Sequence, residues 1–441
     1  MSQNKMPIVG FTAPPNGTLE IDHVKSYIGQ DFRTKERYAE YKECGFSQIL
    51  FSGEDKYLGE PFETSDLKRM LDNAAACGLQ AIVFDERIMA LTVQGKNSVV
   101  EEMFGGSREK LFSFVKDCLS VYQHHPAFYG VSVTDEPQVG KAQVLKEVID
   151  AVKNAAPDAF VHTCFLPCIQ DLGLAPGAFG YGYDSVWKAY RNYIDKMAGT
   201  GIGYFGYDAY PFGMWEGENV VCAKFIRNMQ EVALGCRENG VPFHMTIQSF
   251  SSGEFDEIRR VDESDLNWQA NLAMGFGCKK IYYFTYWRFT TRTGFNNTSA
   301  IIDDDGTRTI YAEAQRNNAL IQRTFRHIAD LEYECSQLLP AEHDNPATQE
   351  MLSEDTGIVE SFTADAPVLV TRLGGKNKKA FMFLNVRDPF EKCVNRFCVR
   401  LKEKKEVYRA LIDGEELLLS AENGSLCFDL KPGEAVWLLF E

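Results

Sequence analysis

The stretch FYGVSVTDE, residues 128–136, decides the reading of the fold. It is rich in strand-favouring residues and it alternates: Gly130, Ser132, Thr134 and Glu136 share one parity, Val131 and Val133 the other. The small and polar set suits the interior of a barrel, and the valines suit a layer of helices. The run ends on two adjacent acids, Asp135 and Glu136, followed by Pro137, which has no N–H to continue a sheet ladder. A strand that delivers carboxylates to its C-terminal end is what an α/β barrel uses at its reactive face.

Seven further β-rich runs surround it. They are PIVGFTA from Pro7, FSQILFSG from Phe46, LQAIVFDE from Leu79, AFVHTCFLP from Ala159, IGYFGYDAYP from Ile202, PFHMTIQSF from Pro242 and KKIYYFTYW from Lys279. From Ile8 to Ile281 is 273 residues, seven intervals averaging 39, the length of strand, loop, helix and loop. The segments between carry helical spacing. Leu67, Met70, Leu71, Ala74 and Ala75 form one face behind a cap at Thr64, and Leu111, Val115, Cys118, Leu119 and Tyr122 form another. Three helices end in glycine just before a strand, in ECGFSQIL, ACGLQAIV and ENGVPFHM, where a left-handed residue stops the helix. Eight such units predict an α/β fold, a (β/α)8 TIM barrel over 1–339. An open doubly wound sheet usually carries a glycine-rich phosphate loop after its first strand, and GFTAPPNG is not one.

After a helical stretch, about Tyr311 to Glu334, comes a polar linker, 340–357. From 358 to 441 the pattern turns to short strands: APVLVTRL, AFMFLNV, NRFCVRL, EVYRALIDG and AVWLLFE, with turns at Asp413-Gly414 and Asn423-Gly424. This predicts a small C-terminal antiparallel β-sandwich.

The chain has 441 residues, 45% hydrophobic and 24% charged, so a large core is expected. A net charge of −16 disfavours nucleic acid and anionic membrane surfaces as partners. No stretch of about 18 apolar residues offers a membrane helix. The opening MSQNKMPIVGF lacks an apolar run of signal-peptide length, and none of the 12 cysteines forms a CxxC pair. Reduced, mostly buried thiols and a cytoplasmic location are therefore expected.

Parity places the candidate site. Inward sets are expected to be Ala81, Val83 and Asp85 on the third strand; Gly206, Asp208 and Tyr210 on the sixth; His244, Thr246 and Gln248 on the seventh; Tyr283, Thr285 and Trp287 on the eighth. The rim would then hold Asp85, Glu136, Asp208, Gln248 and Trp287. Glycoside hydrolysis uses two carboxyl groups, one protonating the leaving oxygen while the other attacks the anomeric carbon or activates water. Glu136 is the candidate acid, with Asp135 and Asp208 beside it. Asp85, Tyr210 and Gln248 are candidate sugar contacts, and Tyr286 and Trp287 candidate stacking platforms. His162 and His244 read as hydrogen-bonded core residues. Seven histidines without HxH or HExxH spacing argue against a metal site, and no cofactor is implied. Asp303-Asp304-Asp305-Gly306 lacks the later glutamate of a calcium loop and reads as a polar turn.

These residues also carry a family likeness. HHPAFYGVSVTDEP, 124–137, resembles strand 4 of the clan A glycoside hydrolases, where an Asn-Glu pair, often followed by Pro, ends the strand. DLNWQANLAMGFGCKKIYYFTYW, 265–287, followed by AIIDDDGT, resembles the strand 8 region of family 42-like β-galactosidases, and the trailing sandwich is similar to theirs. The resemblance implies Glu136 as acid/base, Asp135 where the family has Asn, and Trp287 as the floor of the sugar subsite. It departs at strand 7, where the family nucleophile is Glu and the matching residue here is Gln248. A neutral amide cannot be that nucleophile. Glu254 or Asp256 could reach in from the next loop, an engineered Glu-to-Gln change could account for it, or the mechanism differs. An inverting enzyme would use Asp208 or Asp85 as base. A hexosaminidase-type enzyme would use the substrate's own acetamido group, as the Asp135-Glu136 and Tyr207-Asp208 pairs suggest. A sugar-binding pseudoenzyme without a nucleophile and a barrel lyase or metal-dependent isomerase complete the alternatives. The expected partner is a carbohydrate, and barrels of this type often form homo-oligomers.

Overall fold

The computed structural model describes residues 4–16, 18–21, 24–27, 30–52, 57, 59–168, 175–253, 258–288, 297–340 and 345–441. All eight β-rich runs contain strands: β1 Ile8–Phe11, β2 Gln48–Leu50, β3 Gln80–Phe84, β4 Phe128–Asp135, β5 Phe160–Cys164, β6 Phe205–Asp208, β7 Phe243–Gln248 and β8 Lys280–Phe284. They form one parallel sheet in the order β5-β4-β3-β2-β1-β8-β7-β6. The ends meet where the Phe165 N–H donates to the Gly206 carbonyl at 2.8 Å, which closes the barrel between β5 and β6. The alternating helices are α1 Lys35–Glu43, α2 Asp66–Ala76, α3 Arg108–Ser120, α4 Ala142–Ala155, α5 Val186–Ala198, α6 Phe225–Asn239, α7 Glu263–Gly275 and α8 Tyr311–Ile328. Gly45, Gly78 and Gly240 end α1, α2 and α6 with φ of +98°, +65° and +64°. The cap of α2 is Ser65 rather than Thr64: its hydroxyl accepts from the Lys68 N–H.

The two faces of these strands are both buried. Outward side chains such as Ile8, Ile49, Ala81, Val83, Val131 and Val133 join the helix layer in the main core. Inward ones, among them Val9, Leu50, Ile82 and Tyr282, form a separate cluster inside the barrel with Phe11, Tyr129 and Phe160. Higher up, His162 and His244 lie beside the Tyr282 ring at 5.4 and 6.3 Å, and His162 Nδ1 is 3.1 Å from Ser132 Oγ. At the base, the buried Lys280 ammonium lies 3.8 Å from the Phe160 ring centre, and burial pushes its pKa down to about 7.

This arrangement corrects three of the expected inward sets. On β4 the register shifts between Ser132 and Thr134, so Thr134 lies opposite Thr163 and Asp135 opposite the inward Cys164, and the expected alternation of Ser132, Thr134 and Glu136 is broken. On β3 the inward residues are Gln80, Ile82 and Phe84, so Asp85 belongs to the helix side. On β8 they are Lys280, Tyr282 and Phe284, so Tyr283 points to α8, where its hydroxyl receives the Asn317 amide at 2.6 Å. Small or polar character marks an inward residue only where the two faces differ in solvent exposure. Here neither face is wet, and bulky residues fill the interior.

The C-terminal part forms two antiparallel sheets. One has six strands, β9 Glu332–Leu339, β11 Val368–Gly374, β12 Lys379–Asn385, β17 Ala435–Phe440, β14 Val407–Ile412 and β15 Glu415–Ser420, in that spatial order. The other has three, β10 Val359–Ala364, β13 Asn395–Leu401 and β16 Leu426–Leu430. Phe383, Phe397, Val399, Leu438 and Leu430 fill the space between them. Cys398 and Cys427 are opposite one another on β13 and β16 and form a disulfide, which corrects the expectation of twelve free thiols. Among the described residues no helix is long and apolar enough to cross a membrane.

The sandwich is fixed to the barrel through α7. Trp268 is fully buried and donates its Nε1–H to the Val386 carbonyl at 3.3 Å, and Arg259 bridges Asp265 of α7 and Asp388 at 2.7 and 3.1 Å. Gly433 sits with φ +76° where a Cβ would lie 2.2 Å from the Ser264 carbonyl oxygen. Gly433→Ala should therefore force the two parts apart locally and cost about 2 kcal/mol, read as a melting temperature lowered by several degrees. An unchanged melt would show that this contact does not hold the sandwich in place.

Candidate active site

The C-terminal mouth of the barrel gathers the last inward residues of β4, β5, β6 and β7. Asp135 and Glu136 end β4, Cys164 ends β5, Asp208 ends β6, and Thr246 lies on β7. The chain turns sharply at the first pair. Glu136 is in the left-handed region with φ +42°, a conformation that costs a non-glycine residue about 1 kcal/mol or more and that clusters at functional sites. Two hydrogen bonds hold it there. The Glu136 N–H donates to the Cys164 carbonyl at 2.9 Å, and the Tyr193 hydroxyl of α5 donates to the Pro137 carbonyl at 2.8 Å.

Asp208 is held by two neutral donors. The Tyr210 hydroxyl reaches its Oδ2 at 2.8 Å and the Cys164 thiol its Oδ1 at 3.5 Å. Among the described residues, no cation pairs with Asp135, Glu136 or Asp208, so each feels the others. Burial pushes the Asp135 carboxyl up to about 7, helped by Asp208, and pushes Glu136 up to about 8, helped by Asp208 and then Asp135. Asp135 and Glu136 both reach solvent, so the penalty is that of a crowded, protein-ringed mouth rather than a dry interior, and its upward direction is what matters for proton chemistry. Burial raises Asp208 too, but its Tyr210 and Cys164 hydrogen bonds work against that. The net direction for Asp208 is still upward, and the arrangement favours a protonated Glu136 beside an Asp208 whose charged form its two hydrogen bonds support. A proton donor next to a fixed negative charge is the minimum equipment for acid-assisted cleavage with charge development nearby.

Aromatic rings wall the same mouth. Phe284 lies 4.9 Å from Phe11, 5.2 Å from Phe250 and 5.5 Å, stacked, from Tyr210. Phe11 and Phe284 are half-buried, so part of each side chain reaches solvent. Neither was a sequence candidate, and nor was Cys164. The signal that would have found Phe11 and Phe284 is the parity of β1 and β8, which the wrong inward set for β8 concealed.

The structure brings together Asp135, Glu136, Asp208 and Tyr210 and sets the other candidates apart. Asp85 is fully buried on the helix side. It caps the helix Glu86–Gln94, forms an ion pair with Arg87 at 2.6 Å and accepts from the Tyr122 hydroxyl at 2.8 Å. Tyr286 is fully buried, stacked on Tyr41 at 3.6 Å. Trp287 is 1% exposed, packed against Phe32 at 5.0 Å and under the Arg37 guanidinium. Neither presents a platform to the mouth. Gln248 has no exposed surface. Its Oε1 accepts from the Phe212 N–H, and its Nε2 donates toward the carbonyls of Phe212, Phe250 and Arg259 at 3.0–3.4 Å. It ties down the loops after β6 and β7 and is buried beneath the mouth rather than exposed in it. Glu254 and Asp256 lie outside the described residues.

No family model matches the sequence, and none of the curated proteins compared with it does. The fold does match solved structures over nearly its whole length. A catalytic mutant of a family 42 β-galactosidase from G. stearothermophilus aligns with a TM-score of 0.54 and 8% identity, over 99% of this chain and 98% of that one. A family 5 glycoside hydrolase from Bacteroides vulgatus gives 0.53 and 9%, over 98% and 89%. An Anoxybacillus α-amylase gives 0.55 and 11%, over 100% and 98%. The expected barrel-plus-sandwich fold is thus that of solved glycoside hydrolases.

The Gln248 site yields a direct test. In Gln248→Glu a carboxylate would face three carbonyl oxygens with no donor left for them. The melting temperature should fall by about 5 °C or more, with no gain in glycosidase activity. A stable, more active variant would restore the nucleophile reading of this position.

Proposed function

We propose that this chain is a glycoside hydrolase that cleaves a β-linked bond in a small oligosaccharide or glycoside, with Glu136 as general acid/base. The observation that carries this is the group of three carboxyls at the barrel mouth with no paired cation among the described residues, where the surrounding protein, Asp208 and Asp135 push Glu136 up to about 8. Glu136 would give its proton to the leaving oxygen as the glycosidic C–O bond breaks, a water would form the new bond to the anomeric carbon and pass its proton to Asp208, and Asp135 would stabilise the positive charge that develops there. Phe11 and Phe284 would take the apolar face of the sugar ring. The fold neighbours act on different linkages by their own descriptions, so the β-linkage rests on the resemblance of residues 265–287 rather than on the fold.

A second reading has its own support. Gln248 is sealed in loop backbone, so β7 contributes no carboxylate among the described residues. A substrate that supplies its own nucleophile, the acetamido group of an N-acetylated sugar, would need only the acid Glu136 and a carboxylate to orient the amide. Asp208 with its Tyr210 support would fit that second task. The binding-only alternative predicts sugar binding without turnover.

Turnover of aryl β-galactoside, β-glucoside and β-N-acetylglucosaminide separates these. One substrate should be cleaved, and Glu136→Gln should lose about 100-fold or more of the rate. Preference for the acetamido sugar selects substrate assistance. The rate should also fall as pH rises past about 8, because Glu136 then loses the proton it must donate. A Glu136→Gln enzyme as active as the parent would remove Glu136 from the mechanism.

A further inference from the structure

Cys164 touches the Asp208 carboxylate through its thiol and the backbone of Glu136 through its carbonyl. It is the last residue of β5 and faces inward. Its backbone carbonyl accepts the Glu136 N–H at 2.9 Å, the bond that pins Glu136 in its left-handed conformation. Its Sγ lies 3.5 Å from Asp208 Oδ1 and 4.0 Å from Thr246 Oγ1. Burial keeps the thiol protonated at all working pH values, so it is a standing donor and not a thiolate.

We infer that Cys164 is a positioning residue: its carbonyl fixes Glu136 and its thiol fixes Asp208, so one residue sets their relative placement and keeps the negative charge on Asp208. This deepens the proposed hydrolase reading and rests on it for its kinetic consequence. The groups facing Asp208 are Asp135 and Glu136 from β4, Cys164 from β5, Tyr210 from the loop after β6 and Tyr193 from α5. The inward residues contributed near it by β7 and β8, Thr246 and Phe284, carry no charge. Removing a neutral donor from Asp208 therefore shifts its proton affinity upward with no cation to offset the change. A more protonated Asp208 in turn relieves the repulsion that keeps the proton on Glu136, so the two ionisations should approach each other.

The test compares Cys164→Ala, which loses the donor, with Cys164→Ser, which keeps one. The full chain, labelled with 13C at aspartate carboxyls and assigned with Asp208→Asn, is titrated by NMR. In the alanine variant the Asp208 midpoint should rise by about half a pH unit, the scale expected for one weak neutral hydrogen bond. The pH profile of kcat/KM on the cleaved glycoside should narrow from both sides, while the serine variant retains the parent's titration and profile. An alanine variant whose Asp208 midpoint equals the parent's, or a serine variant that moves as far as alanine does, overturns the inference. If no glycoside is turned over, the NMR titration alone decides, so failure of the hydrolase reading stays separate from failure of this one.

Discussion

The seam between β5 and β6 governs the rest of this molecule. Every other neighbouring pair in the barrel shares a run of ladder pairings, but here, among the described residues, the Phe165 N–H to the Gly206 carbonyl is joined by two bonds between the Tyr204 hydroxyl and the Thr163 backbone. Closure brings the end of β5 against the end of β6, and so puts the Cys164 thiol on Asp208. The same strand end carries the carbonyl that holds Glu136 from β4. Three consecutive strands thus meet at one cysteine. A barrel left open at this seam would keep all eight strands and lose the spatial relation of its carboxylates.

That relation is electrostatically unfavourable and is maintained by everything around it. Three carboxyl groups share a mouth without a paired cation among the described residues, although 46 lysines and arginines are present in the chain. The stabilising contacts lie elsewhere, in the aromatic and aliphatic layer between strands and helices and in the Arg259–Asp265 bridge to the sandwich. A site that stores repulsion and one left-handed glutamate has the character expected where stability is traded for chemistry. Gln248 belongs to the supporting structure: it spends four hydrogen bonds on loop backbone so that the rim keeps its shape.

The likeness to solved glycoside hydrolases at 8–11% identity spans nearly the whole chain, and residues do not carry it. What is shared is the layered architecture. The side chains at this mouth, Asp135, Glu136, Cys164 and Asp208 with Phe11 and Phe284 beside them, are set by this chain's own sequence within that architecture.

The sequence by itself determined the eight strands, the glycine stops of the helices, the antiparallel strands beyond residue 358, and Asp135, Glu136 and Asp208 as acids at strand ends; it did not mark β9, Glu332–Leu339, which already belongs to the antiparallel sheet although about 311–334 reads as helical. These follow from periodicity and local stereochemistry, which act over a few residues. The hairpin turns at Asp413-Gly414 and Asn423-Gly424 were legible for the same reason: both residues of each pair take positive φ. Tertiary structure alone decided which face of β3 and β8 points inward, because both faces are buried and alternation then carries no polarity contrast. It turned Asp85 into a helix cap bonded to Arg87 and Tyr122, sent Tyr286 and Trp287 into the helix layer, and left Phe11 and Phe284 half-buried beside the mouth. It also placed Cys164 between the Glu136 backbone and the Asp208 carboxylate, 28 and 44 residues away along the chain, and the second of these contacts exists only because the barrel closes.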